Sequence, residues 1–234
     1  MRQFISRCLF ILALAASATL TPQKETILSA GKPRTYYTLL PEKITTPVPL
    51  LLLLRGSGRD GMSQIDAWKD LAEKERILLV APDSANSRNW VFGTDGPKFL
   101  HDVIEAVRSR YSVDGRRIYI FGHSAGATFA LYMGITQPEY FAAVAVHAGA
   151  VKEEYHPLPA KAARKLPIAI WVGTKDQSYS LDLVRGAREE LNKRGFDARV
   201  TEMEGHDHDY YAVAAELNPK VWKFLMESKL ENGK

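Results

Sequence analysis

The chain has 234 residues, of which 46% are hydrophobic and 25% charged, values typical of a soluble globular protein. Its formal net charge is only +4, and the basic residues are scattered along the chain. The composition therefore argues against nucleic acid as a partner.

The first 18 residues have the pattern of a secretory signal peptide. Arg2 and Arg7 precede an uncharged run from Cys8 to Ala16, and small residues follow to Ala18. The run is too short for a stable membrane-spanning helix, although a retained anchor is the alternative. We predict cleavage after Ala18 and a secreted or periplasmic protein without stable membrane insertion.

Residues 19–234 are predicted to form a single domain, since they suffice for one hydrophobic core. Cys8 is the one cysteine in the sequence and would leave with the signal peptide. The exported protein is then expected to have no disulfide bond of its own.

Short β-prone segments alternate with segments of helical period along this domain. Several strands are nearly continuous in apolar residues, as parallel strands covered on both faces are. The predicted strands are RTYYTLL, VPLLLLL, RILLVAP, RRIYIFG, FAAVAVH, PIAIWVG and DARVTEM.

Helices are predicted between the strands because apolar residues recur on one helical face. These faces are Ile65, Trp68, Leu71 and Ala72; Leu100, Val103, Ile104, Val107 and Tyr111; Leu181, Val184, Ala187 and Leu191; and Val221, Phe224 and Leu225. The alternation predicts a three-layer α/β fold with a mostly parallel central sheet. Ligands are then expected at the carboxyl ends of the strands.

The segment RRIYIFGHSAGATFALYMG passes from a predicted strand into a predicted helix without a polar loop. Gly122 and Gly126 flank Ser124 and would permit a very sharp turn with the serine at its tip. At a helix N-terminus the amide of Ala125 has no helical partner and can stabilise a developing negative charge. Ser124 is therefore the predicted nucleophile and Ala125 a predicted oxyanion donor.

A serine nucleophile needs a base, and the base needs an acid that holds its tautomer. Asp176 follows the strand that ends at Gly173, and two histidines, His206 and His208, follow the last strand. The order Ser, Asp, His is the one expected of α/β-hydrolases. At this point either histidine fits the role of base.

These motifs resemble the α/β-hydrolase serine esterases, especially the branch of esterase D (S-formylglutathione hydrolase), feruloyl esterases and polyhydroxybutyrate depolymerase-like carboxylesterases. The resemblance runs from PLLLLLRGSGRDG through APD, GHSAG and VGTKDQ to EGHDHDYY. Family members similar to esterase D carry the catalytic histidine in an EGxDHxYY context, which implies His208 as base and His206 as a loop or supporting residue. The family's oxyanion loop begins with HG. Here Arg55 replaces that histidine, and the resemblance implies Ser57 as the second amide donor.

The resemblance implies an α/β-hydrolase fold and a serine esterase that works through an acyl-enzyme without metal or organic cofactor. Short-acyl, feruloyl-type and hydroxyalkanoate esters, small or polymeric, are the expected substrates. Trp90 lies in the loop SANSRNWVFGTDG after the APD strand end, and His147 ends the predicted strand FAAVAVH. Both are predicted substrate contacts, with packing as the alternative for each. The short segment between Gly149 and Pro167 predicts the absence of a large lid.

Three other functions fit parts of the sequence. The HDHD run resembles the HxHxD run of metal-dependent hydrolases, although Tyr210 stands where a further histidine normally follows. A serine peptidase of the prolyl-oligopeptidase type uses the same residue order but usually carries an additional domain. A non-catalytic binding protein on a hydrolase scaffold commonly lacks one triad residue, whereas here all three roles have candidates.

Overall fold

The computed structural model describes residues 21–151 and 164–231, and in these residues eight strands form one sheet. The order across the sheet is β1-β2-β4-β3-β5-β6-β7-β8. Pairings of β1 with β2 and of β2 with β4 are antiparallel, and the others are parallel. The strands are Gln23–Ser29 (β1), Lys32–Leu39 (β2), Val48–Leu54 (β3), Leu78–Pro82 (β4), Val113–His123 (β5), Val144–His147 (β6), Ile168–Gly173 (β7) and Ala198–Met203 (β8).

Helices alternate with the parallel strands and cover both faces of the sheet. They are Gly61–Glu75 (α1), Phe92–Asp95 (α2), Pro97–Arg108 (α3), Ala125–Thr136 (α4), Leu181–Lys193 (α5) and Tyr210–Met226 (α6). On one face α1 and α6 pack around Trp68 and Trp222. On the other, α3, α4 and α5 share a core around Phe129. The predicted three-layer α/β-hydrolase fold is confirmed.

All seven predicted strands are present, and the structure adds an eighth, β1, that the sequence analysis did not predict. β1 forms a hairpin with β2 through Ala30 and Gly31, whose positive φ angles of 50° and 75° suit a tight two-residue turn. Most β1 side chains are exposed or half-buried, because the strand is at the edge of the sheet. Its polar sequence therefore lacks the apolar run that marks the inner strands.

Parallel strands bring several loops to one edge of the sheet. The carboxyl ends of β3, β5, β6, β7 and β8 lie side by side, since these strands are parallel neighbours in the sheet. The oxyanion-loop segment, the GHSAG turn, the VGTKDQ loop and the EGHDHDYY loop all start there. This edge is where the predicted site residues meet.

The predicted signal peptide and most of the segment in which no large lid was expected lie outside the described residues. Among the described helices, none combines the length and apolar character required to cross a membrane.

Candidate active site

Ser124 stands between the last residue of β5 and the first residue of α4. Its φ angle is 54°, a positive value that is uncommon for a residue other than glycine. The two flanking glycines make the turn possible. A β-carbon on Gly122 would lie 2.3 Å from the carbonyl oxygen of Gly126, and one on Gly126 would lie 2.2 Å from that of Leu54. The sharp turn predicted from GHSAG is present, and it presents the serine at the edge of the sheet.

The structure brings Ser124, His208 and Asp176 into direct contact. Nε2 of His208 lies 2.9 Å from Oγ of Ser124, and Nδ1 of the same ring lies 2.8 Å from Oδ2 of Asp176. The loops after β7 and β8 supply the acid and the histidine to the serine that follows β5. His208, 84 positions from Ser124 along the chain, therefore contacts its hydroxyl directly, and Asp176, 52 positions away, is linked to it through His208.

Asp176 fixes the tautomer of His208. Its side chain is fully buried, and an ionised carboxylate can only accept hydrogen bonds. Oδ1 accepts from the amides of Ser178 and Tyr179 at 2.8 and 2.9 Å, which leaves Oδ2 for Nδ1–H of His208. Nε2 of His208 is then unprotonated and can accept the proton of the Ser124 hydroxyl.

Tyr179 supports this arrangement from the side. Its ring is nearly parallel to the His208 imidazole, with centroids 5.9 Å apart. Its hydroxyl contacts Oγ1 of Thr128 at 2.9 Å and donates to the carbonyl oxygen of Ser124 at 3.3 Å. Tyr179 therefore links the acid loop to the serine turn.

Ser57 and Ala125, the two expected oxyanion donors, border the same space as Ser124. Ala125 is the first residue of α4, so its amide has no partner within the helix. Ser57 follows Gly56, which lies against the ring of His123 so closely that a β-carbon there would come within 2.9 Å of Cδ2. The segment that contains Gly56 and Ser57 thus packs directly against His123, the residue before Ser124.

Arg55, which replaces the family's histidine, is buried and holds the neighbouring loop. Its guanidinium donates to the carbonyl oxygens of Gly56 and Asn86 at 2.9 and 2.6 Å, and to the hydroxyl of Ser84. Burial lowers the pKa of Arg55. The carbonyl oxygen of Arg55 in turn accepts from Nε1 of Trp90 at 3.0 Å. The charge of Arg55 therefore serves to join two loops.

Two spaces open on either side of Ser124. One is a polar compartment of about 750 Å³, bordered by His208 and by the charged residues Arg59, Lys175, Asp207 and Asp209. The other is an aromatic compartment of about 590 Å³, bordered by Trp90, Phe92, Phe129 and Tyr179. Both compartments include Ser57 and Ser124.

The two predicted substrate contacts differ in position. Trp90 is largely buried and stacks on Phe129 with centroids 5.0 Å apart, yet it also borders the aromatic compartment. His147 is fully buried and touches His123 and His206 through its ring nitrogens. The structure gives His147 no access to the cleft, so the expectation that it contacts substrate directly is not supported.

His206 and His208 do not face a common point. Nε2 of His206 lies 3.1 Å from His147, whereas Nε2 of His208 lies beside Ser124. Within residues 21–151 and 164–231, no group of three or more histidine, cysteine or acidic side chains is arranged to hold a metal ion. The HDHD run therefore lacks the convergence that a metal site needs.

Several residues at the site were not predicted from the sequence. His123 lies inside the GHSAG motif, and Tyr179 lies three positions after Asp176, but neither position carries a signal of its own. Arg59 and Tyr211 meet across the cleft, with the guanidinium 4.7 Å from the ring centroid. Only the folded chain brings these side chains together.

A family model described as "Putative esterase" matches residues 28–230. Over 160 residues the chain is 27% identical to a bifunctional acetylxylan esterase/xylanase of Neocallimastix patriciarum, an alignment that covers 67% of this chain and 23% of that protein. Over 123 residues it is 25% identical to poly(3-hydroxyalkanoate) depolymerase C of Paucimonas lemoignei, covering 47% of this chain and 30% of that protein. The chain thus spans less than a third of the length of these two curated relatives.

A solved structure of an S-formylglutathione hydrolase from Agrobacterium tumefaciens has the same fold. The TM-score is 0.71 at 18% sequence identity, and the superposition covers 90% of this chain and 96% of that one.

Proposed function

Because the chain belongs to the Esterase family, we propose that it hydrolyses carboxylic esters with Ser124 as nucleophile, His208 as general base and Asp176 as the acid that orients the base. The observation that carries this proposal is the continuous line of contacts of 2.8 and 2.9 Å from Asp176 through His208 to Ser124. This is the arrangement by which a serine hydroxyl is activated at neutral pH.

In the first half of the reaction, Oγ of Ser124 attacks the ester carbonyl carbon while Nε2 of His208 takes the hydroxyl proton. Asp176 stabilises the imidazolium that forms. The amides of Ser57 and Ala125 donate to the oxyanion, and each donor of this kind is worth about 3 kcal/mol of transition-state stabilisation. The imidazolium then protonates the leaving alkoxide, which departs as an alcohol and leaves the acyl group on Ser124.

In the second half, water enters where the alcohol left. His208 takes one proton from the water, and the resulting hydroxide attacks the acyl carbon, again with the oxyanion held by the two amides. Collapse of the tetrahedral intermediate breaks the bond to Oγ of Ser124. His208 returns the proton to the serine, and the carboxylic acid is released.

The two compartments suggest how the ester lies. The leaving oxygen must be within reach of Nε2 of His208, and His208 borders the polar compartment but not the aromatic one. The alcohol part is therefore assigned to the polar compartment near Arg59 and Lys175. The acyl part is assigned to the aromatic compartment near Trp90 and Phe129, which suits a compact apolar or aromatic acid.

Short-acyl, feruloyl-type and hydroxyalkanoate esters are the proposed substrate classes, either as small molecules or as groups on a polymer. The names of the relatives are compatible with this choice, since one is an acetylxylan esterase/xylanase and another a poly(3-hydroxyalkanoate) depolymerase. The proposed reaction uses no metal or organic cofactor. Export by the predicted signal peptide, to a periplasm or to the medium, and a single domain over residues 19–234 remain part of the proposal.

The test is hydrolysis of p-nitrophenyl acetate, methyl ferulate and 3-hydroxybutyrate esters by the purified protein and by Ser124→Ala. Loss of the nucleophile is expected to lower kcat by up to about a millionfold, with an unchanged thermal unfolding midpoint. Turnover retained by Ser124→Ala, or a wild-type protein inactive on all three ester classes, would contradict the proposal. For the orientation of the ester, Trp90→Ala is expected to lower kcat/KM more for methyl ferulate than for methyl acetate. Equal losses would place the acyl group elsewhere.

A further inference from the structure

Three histidines, which we call the histidine chain, lead from the surface to the floor of the cleft. Nε2 of the partly exposed His206 lies 3.1 Å from Nε2 of His147. Nδ1 of His147 lies 3.1 Å from Nδ1 of His123. Each contact joins two ring nitrogens at hydrogen-bond distance, so each can be a hydrogen bond only when it contains one proton.

The inner end of the histidine chain reaches the cleft. His123 borders the polar compartment together with Gly56 and Ser124. Its edge formed by Cδ2 and Nε2 faces Gly56, since these are the ring atoms that a β-carbon there would meet. Among the described residues, Nε2 of His123 has no hydrogen-bond partner. It is also absent from the fully buried side-chain nitrogens and oxygens that lack a partner, so part of its surface is accessible to solvent. Nε2 is therefore available to a bound molecule.

The two inner rings are neutral. Burial lowers the pKa of His147 to about 2 and that of His123 to about 4. A neutral imidazole has one N–H group and one free lone pair, so it donates at one nitrogen and accepts at the other. His147, in the middle, must therefore donate to one neighbour and accept from the other.

Only two proton arrangements keep both hydrogen bonds. In the first, His206 donates to His147 and His147 donates to Nδ1 of His123, so that His123 carries its proton on Nε2. In the second, His123 donates from Nδ1 to His147 and His147 donates to His206, so that Nε2 of His123 is a bare acceptor. The tautomer of His206 thus determines whether Nε2 of His123 presents a hydrogen-bond donor or an acceptor to the cleft.

We propose that His123 is a further substrate-binding residue, and that His206, acting through His147, sets whether Nε2 of His123 donates or accepts a hydrogen bond. His206 and His147 are positioning residues in this scheme. The substrate role rests on the proposed function, because it assigns His123 to the alcohol side of the ester. In this scheme His147 acts on the substrate indirectly, because its burial prevents direct contact.

A group at position 206 that can only donate would permit only the first arrangement. A protonated ring carries hydrogen on both nitrogens, so it can only donate to His147, and the second arrangement is excluded. The His206 ring contacts His147 of β6, and its backbone carbonyl oxygen accepts from the amide of Lys175 in the loop after β7 at 2.8 Å. Asp207 and His208 are the next two residues along the same loop.

Other groups act on the inner end of the histidine chain. Tyr210 of α6 lies against both inner rings, and Tyr211 lies against His123. After burial, the neighbouring His208 also lowers the pKa of His123, whereas the backbone of His147 and the carboxylates of Asp176 and Asp209 act in the opposite direction.

The test uses two substitutions that mimic the two arrangements. His206→Lys offers only donors and is expected to force the proton of His123 onto Nε2, whereas His206→Glu offers only acceptors and is expected to force it onto Nδ1. Nitrogen-15 NMR of histidine-labelled protein identifies the tautomer of His123 directly. His206→Gln, whose amide can donate or accept, is the matched control. The same tautomer of His123 in folded His206→Lys and His206→Glu would overturn the proposal.

A kinetic measurement tests the substrate contact. The substrates are 2-hydroxyethyl acetate, whose hydroxyl donates and accepts, and 2-methoxyethyl acetate, whose ether oxygen only accepts. The kcat/KM for 2-hydroxyethyl acetate divided by that for 2-methoxyethyl acetate is expected to be about tenfold higher in His206→Glu than in His206→Lys, the size of one mismatched hydrogen bond. In His206→Glu, Nε2 of His123 accepts and can pair only with the hydroxyl, whereas in His206→Lys it donates and can pair with either oxygen. Glu204→Gln, a change of one charge at an exposed position of the same loop, is expected to leave the ratio unchanged.

The outcomes separate the two proposals. A tautomer that switches while the ratio of kcat/KM values stays constant would overturn the substrate role of His123. A wild-type protein without esterase activity would overturn the proposed function, while the NMR measurement would still decide whether His206 controls His123. Thermal unfolding of each variant shows that the comparison is made between folded proteins.

Discussion

The carboxylate of Asp176 has a separate partner for each oxygen. Oδ1 accepts the amides of Ser178 and Tyr179, which shapes the loop after β7, and Oδ2 faces Nδ1 of His208. One side chain therefore builds the turn and orients the histidine. A substitution can separate these effects, because an amide oxygen accepts as a carboxylate oxygen does.

Asp176→Asn is expected to keep the turn and to lose most of the activity. The amide oxygen can still accept from the loop amides, but its NH₂ group faces His208 and favours the wrong tautomer of the ring. A fall in kcat of about 10⁴ is expected, as for such a change in a serine protease triad. Steady-state kinetics and thermal unfolding check this, with Asp176→Ala as the variant that also loses the turn. A kcat within tenfold of wild type would show that Asp176 does not orient the base.

At the scale of elements, the turn between β5 and α4 depends on close backbone contact. The carbonyl oxygens of Leu54 and Arg55, at the end of β3, lie 2.2 and 2.5 Å from where a β-carbon of residue 126 would be. The position of α4 is therefore coupled to the start of the oxyanion loop.

Gly126→Ala is expected to destabilise the protein by about 1–3 kcal/mol, the usual cost of overpacking, and to reduce kcat because Ser57 must move. Gly186→Ala is the matched control. Gly186 lies in α5 with open space around its α-carbon, so alanine there is expected to add up to about 1 kcal/mol of helix stability. Urea unfolding and ester hydrolysis measure both effects. Equal behaviour of the two variants would refute the tight-turn argument.

The elements also show what a sequence can and cannot predict. Inner strands such as VPLLLLL are recognisable because both of their faces are buried. β1 was not predicted because five of its seven residues, QKETILS, are polar, so it lacks the apolar run of the inner strands. Ser124 and Asp176 follow from a motif and from strand order, whereas the choice of His208 over His206 required a family resemblance. The role of His123 depends on two neighbours, 24 and 83 positions away, which no local pattern reveals.

At the scale of the whole molecule, two buried neutral histidines make stability depend on pH. The pKa of His123 is lowered from its ordinary 6.5 to about 4, and that of His147 to about 2, both chiefly by burial. Between these values and 6.5 the unfolded chain binds protons that the folded protein does not. Their contribution to stability is complete above pH 6.5 and is lost as the pH falls below it.

The free energy of unfolding is expected to decline between about pH 6.5 and 4, by up to about 1.4 kcal/mol per pH unit for each of the two histidines. Urea denaturation at several pH values measures the slope. His147→Gln removes one of the two titrating rings and is expected to show a shallower decline. An unchanged slope in this variant would mean that His147 does not stay neutral in the folded protein.

The proposed nucleophile and the proposed base follow strands that differ in the number of their neighbours. Ser124 follows β5, which has a strand on each side, whereas His208 follows β8, the last strand of the order, with one neighbour and a largely exposed face. Edge segments open locally at a lower free energy than the centre of a sheet. Mild heat or denaturant would therefore displace the imidazole of His208 from Ser124 before the central strands unfold. Turnover would then cease in molecules whose hydrophobic core is still intact.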